Sequence, residues 1–299
     1  MTHAGGTRFG TVALVGRPNV GKSTLLNRLV GERVSITAHR PQTTRHAVRG
    51  IATWGEVQAV FVDTPGIHGG GKRALNRVLN RTARGSLSDV DLIVLLVQAG
   101  VFEADDQLAL DAALRSGPPV IIAVNKIDRV TNKAALLPYL QSLPRVAELA
   151  EVVPVSARSG DGIEALKSCL TARLPEGEHA YEADALTDKS ERFLAAELIR
   201  EQLTRQLNEE LPYAITVQIE QFDASATGYR ILAAIWVERE SQKGIVIGRQ
   251  GSKLKAVGTR ARERMSALFG VPVHLEQRVL VRRDWSDDHD ALQSLGISD

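Results

Sequence analysis

Gly16-Arg17-Pro18-Asn19-Val20-Gly21-Lys22-Ser23 follows directly on the apolar run Phe9 to Val15, so a buried strand delivers the chain into a glycine-rich turn with the spacing G-x-x-x-x-G-K-S. Backbone N–H groups in such a turn curl around phosphates, Lys22 reaches the terminal ones, and the Ser23 hydroxyl is placed to hold Mg²⁺. A plain glycine turn between strand and helix is the alternative. Thr24-Leu25-Leu26, which continue the chain as a helix, favour the phosphate loop. The ligand implied is a nucleoside triphosphate, contacted along Gly16 to Thr24.

Two further motifs come in the order that a guanine switch requires. Asp63-Thr64-Pro65-Gly66 closes the apolar run Val57 to Val62, which places Asp63 to organise the Mg²⁺ shell and the Gly66 N–H to touch a γ-phosphate. Asn125-Lys126-Ile127-Asp128 closes the run Val120 to Val124. A carboxylate at Asp128 accepts both N1–H and the exocyclic amine of guanine, a pattern that adenine reverses. Ser156-Ala157, after Val153-Pro154-Val155, would complete the base pocket with a backbone N–H aimed at the guanine oxygen. That dipeptide acquires meaning only from its position after the next strand.

Between these motifs, Ser35 to His46 is polar and rich in hydroxyls. A threonine there can close onto Mg²⁺ in the triphosphate state and release after hydrolysis; Thr44 is favoured over Thr43. The other reading is an ordinary mobile loop with helix-capping threonines. Where small signalling GTPases place a water-orienting glutamine, directly after the DTPG glycine, this chain has Ile67. Intrinsic turnover is then expected to be slow unless another group or cation supplies the missing stabilisation. Asn19 can help to hold a monovalent cation such as K⁺ near the phosphates, or can be a purely structural loop asparagine. The catalytic set is accordingly Lys22, Thr44, Asp63, Gly66 and Asn19, with Ser23, Thr44 and Asp63 as metal ligands.

The 299 residues suit two domains. A hydrophobic fraction of 43% with 24% charged residues is that of an ordinary globular chain, and no apolar stretch reaches the length of a membrane span. The run near the N-terminus lacks a basic leader and a small-residue cleavage site, so it reads as a strand and not as a signal peptide. One cysteine, Cys169, excludes an intramolecular disulfide and points to a reducing, cytoplasmic setting.

Up to about Leu174 the apolar runs, including Leu92 to Val97 and Val152 to Val155, alternate with longer amphipathic stretches. This predicts βαβ units and a mostly parallel sheet with helices on both faces, over residues 1–175. Pro175 to Asp188 is acidic and turn-rich and reads as an exposed connector, so residues 176–190 are taken as a linker to a second domain, 191–299. There, Phe193, Ala196, Ile199, Leu203 and Leu207 recur at helical spacing. Ile215, Val217 and Ile219 alternate with polar residues as a strand, and Ile231 to Val237 forms a more buried one. A short helix ending in Ile245-Val246-Ile247, the sequence Gly248-Arg249-Gln250-Gly251, a second helix with Leu254, Val257, Ala261, Met265 and Leu268 on one face, and a strand from Val273 to Val281 complete the order.

Net charge is only +2, but Lys243 to Arg264 holds seven basic residues against one acid. A solvated helix face is one reading; a phosphate-binding footprint is the other. G-x-x-G alone is weak, since Gly66-Ile67-His68-Gly69 matches it too. Context raises the Gly248–Gly251 case: it lies between two helices in the order helix, strand, strand, helix, helix, strand, crowded by Arg249, Lys253 and Lys255. Small residues let a nucleic-acid backbone approach, and an apolar groove beside Ile247 would receive unstacked bases. This is an α+β, type II KH-like single-strand binder, with a protein-docking domain as the competing reading.

GRPNVGKS, QTTRH, DTPG, NKID and SA, followed by VIGRQGSKLK and a WSDD ending, together resemble the Era family of bacterial ribosome-assembly GTPases over nearly the whole chain. The resemblance implies GTP hydrolysis to GDP, Mg²⁺, binding near the 3′ end of small-subunit (16S) rRNA, association with the 30S subunit, a monomer, and a cytoplasmic protein partly peripheral on the inner face of the membrane. The glycine run Gly69-Gly70-Gly71 departs from the family pattern and predicts a flexible second switch. Two other functions compete: a constitutive RNA binder whose nucleotide domain is only structural, and a P-loop kinase, against which the NKID motif argues.

Overall fold

The structure is a computed structural model that describes residues 6–37, 44–67, 74–87, 89–143, 149–207 and 211–297. Thr43 and the Gly69–Gly71 run lie outside the described residues. The chain divides into two compact units. The first takes the residues up to Asp188, and the second runs from Lys189 onward, with Ile36, Thr37, Ala74 and Leu75 grouping with the second.

The first unit is built on a six-stranded sheet in the order β2-β3-β1-β4-β5-β6. Its strands are β1 (Arg8–Val15), β2 (Val48–Trp54), β3 (Val57–Asp63), β4 (Leu92–Gln98), β5 (Val120–Asn125) and β6 (Leu149–Pro154). Every neighbouring pair is parallel except β2–β3. Strands buried on both faces have no wet side to alternate with, which is why β3, β4 and β5 read as near-continuous apolar runs. The helices are α1 (Lys22–Val30), α2 (Ala74–Gly85), α3 (Ala104–Ser116), α4 (Leu136–Ser142) and α5 (Ile163–Thr171). Ala13 and Val15 of β1, with Ile93, Leu95 and Val97 of β4, form one core with Ala83 of α2 and with Ala109 and Leu110 of α3. On α1, Leu26 and Val30 approach Gly50 of β2 so closely that a Cβ there would stand 2.7–2.8 Å from their methyl groups.

The antiparallel edge strand β2 was not evident among the apolar runs. It joins β3 through the two-residue turn Gly55-Glu56, with Gly55 at φ 61°, the left-handed region that a hairpin of this length needs at its first position. The connector from Pro175 to Asp188 contains no buried residue, yet it is tied to the sheet. The Gln58 side chain of β3, itself fully buried, accepts the Ala180 and Tyr181 N–H groups at 3.0 and 2.9 Å and donates to the Tyr181 carbonyl at 2.9 Å. The Ile51 N–H donates to Leu186 O at 2.9 Å.

The second unit is α6 (Glu191–Gln206), β7 (Thr216–Ser225), β8 (Gly228–Val237), α7 (Glu240–Ile247), α8 (Ser252–Phe269), β9 (Val273–Val281) and α9 (His289–Ser294). β7–β8 is an antiparallel hairpin and β8–β9 is parallel. Parallel neighbours require a long crossover, here supplied by α7, the glycine loop and α8. Ile231, Ala233, Ile235 and Val237 put alternate residues of β8 into a core shared with Ala195, Ile199 and Leu203 of α6 and Val257, Ala261 and Met265 of α8. The buried stripe of α6 therefore runs through Ala195 and Leu198, with Phe193 and Ala196 at its half-buried margin. The buried acids on α6 are matched by arginines: Glu197 accepts two 2.7 Å bonds from Arg200, and Glu201 pairs with Arg205 and with Arg264 of α8. The WSDD segment is structural, since Trp285 is fully buried with its indole N–H on Ala214 O at 3.1 Å, and Asp288 caps α9.

Candidate functional site

In an open α/β sheet, ligands gather at the carboxyl ends of the strands. The loops leaving β1, β3, β5 and β6 carry the GRPNVGKS, DTPG, NKID and SA motifs of the first unit, while Thr44 comes from the segment between α1 and β2. After β1 the chain turns at Gly16 (φ 146°) and Gly21 (φ 108°). A Cβ on Gly16 would stand 2.5 Å from Leu96 O, and one on Gly21 would stand 2.3 Å from the Asn125 amide nitrogen, so neither site admits a side chain. Asn19, exposed at the tip, is also left-handed (φ 64°), a conformation asparagine tolerates. Gly21 leaves the start of α1 with no side-chain cap and no acid in its first turn, so its N–H groups are available to an anion. Lys22 is buried. Its ammonium donates to Gly16 O at 2.9 Å and Arg17 O at 3.1 Å. Burial drives its pKa down to about 8, against the opposing attraction of Asp63.

Asp63 ends β3 fully buried. Its Oδ2 accepts from Ser35 Oγ at 2.8 Å and Thr44 Oγ1 at 3.3 Å, and the Thr44 hydroxyl meets Ser23 Oγ at 2.9 Å. Its Oδ1 is buried with no hydrogen-bond partner among the described residues. Burial raises the Asp63 pKa, while Lys22 and the hydroxyls of Ser23, Ser35 and Thr44 hold it down. An orphaned carboxylate oxygen beside three hydroxyls is an all-oxygen donor set of the kind a hard divalent cation takes, so the residues present fit Mg²⁺.

The remainder of DTPG is divided between packing and contact. Thr64 turns its hydroxyl inward to Leu14 O at 2.9 Å and Pro65 is buried. Gly66 abuts the phosphate loop, where a Cβ would fall 2.7 Å from Pro18 N. Ile67 is 1% exposed and belongs to the core with Ala13 and Val15, its N–H directed to Gly16 O at 3.3 Å. The residue directly after the DTPG glycine is thus an apolar anchor.

Asn125 staples three loops. Its amide donates to Val20 O at 2.8 Å and its Oδ1 accepts the Ala157 N–H at 2.9 Å. Both N–H groups of the Ser156-Ala157 pair, from which one was expected to aim at a guanine oxygen, are engaged within the protein, that of Ala157 by Asn125 and that of Ser156 by Asp161 O. Asp128 is exposed, with Oδ1 accepting from Ser156 Oγ at 2.8 Å. Lys126, left-handed at φ 65°, donates to Gln98 Oε1 at 2.8 Å; burial, and then Arg129, lower its pKa. Thr24 is half-buried on α1. Several supporting residues escaped the motif reading. Asn27 of α1 accepts the Val34 and Ser35 N–H groups at 3.0 and 2.9 Å and donates to Ser35 O at 2.7 Å. Arg28 holds Ala157 O at 3.2 Å, and Ser35 itself reaches Asp63.

In the second unit, Gly248 (φ 72°) and Gly251 (φ 77°) flank an exposed Arg249-Gln250 pair, with Gln250 at φ 48°. A Cβ on Gly248 would press to within 2.9–3.1 Å of Lys253. Lys253 and Lys255 project from the first turn of α8, both exposed, and Ile245, 49% exposed, lies before half-buried Ile247. Arg264, by contrast, is spent on Glu201, so not every basic residue of the window is available to phosphate.

A family model described as a 50S ribosome-binding GTPase matches residues 11–126, and a KH-domain model matches residues 210–286. GTPase Era of Stenotrophomonas maltophilia (strain R551-3) is 54% identical over 96% of this chain and 96% of its own. GTPase Era of Xanthomonas campestris pv. campestris (strain B100) is 53% identical over 99% of each. Among solved structures, Era in complex with MgGDPNP and nucleotides 1506–1542 of 16S ribosomal RNA matches with a TM-score of 0.93 at 36% identity, covering 98% of this chain and 99% of that one. An Aquifex aeolicus Era variant bound to GDP and AlF4⁻ matches with the same TM-score and identity, over 98% of this chain and 100% of that one. A guanine-type phosphate-loop pocket followed by a KH unit, at such identity over nearly the full length, makes this chain a member of the Era family of GTPases.

Proposed function

We propose that this GTPase is a switch that binds the 3′-end region of small-subunit (16S) rRNA through its KH unit and acts, as a monomer, in assembly of the 30S subunit. The observation that carries the reading is the exposed Gly248–Gly251 loop with Lys253 and Lys255 beside it, on a chain whose other half holds the nucleotide pocket. The similar Era structure with a 16S rRNA segment supports the choice of RNA. Family resemblance supports a cytoplasmic location with a share peripheral on the inner face of the membrane; among the described residues no helix is long and apolar enough to cross a membrane.

In the pocket, Ser23, Thr44 and Asp63 would hold Mg²⁺, with Ser35 supporting Asp63. The ion would supply positive charge to the β- and γ-phosphate oxygens. Lys22 and the N–H groups of the loop bind the phosphates, Gly66 meets the γ-phosphate, and Asn125, Lys126 and Asp128 with the Ser156-Ala157 turn frame the base. Asn19 would help to hold K⁺, offsetting the absence of a water-orienting side chain at Ile67. Turnover is expected to be faster in K⁺ than in Na⁺ at equal ionic strength, and equal rates would remove that role.

A switch requires RNA affinity to differ between nucleotide states. The test is fluorescence anisotropy of a labelled single strand copying the 3′ end of 16S rRNA, at fixed salt because phosphate contacts make affinity salt-dependent. Binding should be tighter with a non-hydrolysable GTP analogue than with GDP, and Arg249→Asp with Gln250→Asp should abolish it while leaving nucleotide affinity intact. Equal affinity in both states would leave an uncoupled RNA binder, and normal binding by the loop variant would end the KH assignment.

A further inference from the structure

The Arg17 guanidinium leaves the phosphate loop for the start of α3. There Nε donates to Asp106 Oδ2 at 3.0 Å and Nη1 lies 3.5 Å from Glu103 Oε2. The same Asp106 oxygen accepts the Glu103 N–H at 2.9 Å, closing a capping box at the helix terminus. A cap by itself has no need of burial, since its N–H partners face water at the end of a helix. Asp106 is nevertheless 0% exposed, whereas Glu103 is 57% exposed. A buried carboxylate is tolerated when a cation compensates it, and Arg17 is that cation. With its charge matched by Asp106 and Glu103, Arg17 is committed to α3 and offers the loop geometry, not a phosphate-binding charge.

What that geometry fixes lies on either side of Arg17. The carbonyls of Gly16 and Arg17 hold the Lys22 ammonium, and the next residue, Pro18, packs against Gly66 with no room for a Cβ between them. Ile67 is bonded to Gly16 O. The first half of the phosphate loop is therefore gripped by α3 on one side and by the DTPG segment on the other.

We propose that Asp106 is a positioning residue for GTP: through Arg17 it holds Gly16–Pro18 in register with Gly66, and so sets the preference for the triphosphate over GDP. This rests on Gly66 meeting the γ-phosphate, as read above. GDP lacks the group that Gly66 touches, so loosening the register penalises GTP selectively.

Asp106→Asn, Arg17→Met and the double variant, each with Mg²⁺, test this by the affinities for GDP and a non-hydrolysable GTP analogue. Each single change should weaken the analogue about tenfold, a loss of about 1.4 kcal/mol, and GDP by less than about threefold. The double variant should be no weaker than the weaker single one, because both changes sever one contact. Arg17→Lys, which keeps a cation opposite Asp106, should recover most of the preference. An unchanged analogue-to-GDP ratio in Arg17→Met would reduce Asp106 to a helix cap, and equal weakening of both nucleotides would mean general loosening; either result overturns the proposal. If Asp106→Asn fails to fold, Arg17→Met decides alone, since it leaves the α3 cap in place. Wild-type affinity for the two guanine nucleotides, measured alongside, reports separately on the underlying GTPase reading.

Discussion

Lys22 is an ammonium held by two carbonyl oxygens in a buried loop, with its pKa pushed down to about 8. Relative to its ordinary value of 10.5, that is about 3 kcal/mol against the charged form. Nucleotide phosphates reverse the balance, because they surround the ammonium with negative charge and raise its pKa. At pH 8 the free protein is about half protonated at Lys22 and the complex fully so, which means that binding takes up about half a proton there and about a tenth of one at pH 7. GDP phosphates are already ionised in this range. Calorimetry of GDP binding in two buffers of different ionisation enthalpy should show this uptake at pH 8, together with affinity that falls as pH rises above 8; no buffer dependence would remove the depressed Lys22. The sign for folding follows from the same shift. The nucleotide-free unfolded chain binds more protons than the folded one between pH 8 and 10.5, so this group adds stability as pH rises through that window. The motif residues were legible because their spacing is local: Gly16, Gly21 and Lys22 act within eight residues of one another. Arg28 was not, because its partners lie 129 and 130 positions away, on a loop that only the fold brings near. Asn27 reaches only 7 and 8 positions along the chain, but its partners there are backbone groups, which no residue pattern marks.

Elements were legible where burial imposes one period and obscure where it does not. β3, β4 and β5 are buried on both faces, and their apolar runs mark them without ambiguity. β2 is an edge strand whose sequence, VRGIATW, mixes an exposed arginine, a glycine and two half-buried residues, and its signal is the Gly55 turn more than its own composition. The connector reads as exposed, and none of its residues is buried although His179, Tyr181, Ala185, Leu186 and Thr187 are half-buried, but its path is set by backbone hydrogen bonds to Gln58, a buried polar residue inside an apolar strand. Composition cannot report a backbone contact. On α6 the helical spacing through Ile199, Leu203 and Leu207 was plain and those residues are in the core, but the burial of Ala195, Leu198 and the charged residues Glu197, Arg200 and Glu201 was not. A helix wet on one side marks its buried face by polarity; one buried nearly all round does not, because polar residues are buried too. The DTPG segment shows the opposite limit. Its motif was recognised whole, yet its residues part in the fold: the Thr64 hydroxyl turns inward to Leu14 O and Pro65 is buried, while Asp63 lies among the hydroxyls of Ser35 and Thr44 and Gly66 abuts Pro18 of the phosphate loop.

At the scale of the whole molecule, two compact units have separate cores, and ligand linkage offers a way to see them individually. The chain has three tryptophans. Trp54 lies in the first unit, and Trp236 and Trp285, both buried, lie in the second. In a Trp54→Phe variant the emission therefore reports on the KH unit alone, while calorimetry follows both. GDP with Mg²⁺ at a hundred times its Kd stabilises the unit that binds it by about 2.7 kcal/mol. In a unit of this size that moves the midpoint by roughly 5–10 °C. Among the described residues the core of the second unit shares no member with that of the first, so nucleotide bound to the first unit stabilises its own core and not that of the second. The calorimetric transition of the nucleotide-binding unit should rise by that amount, with the tryptophan transition moving by less than about 2 °C. A shared shift of both by the full amount would mean that the two units unfold as one cooperative system, and that the nucleotide acts through the stability of the KH fold instead of through the geometry of its RNA loop.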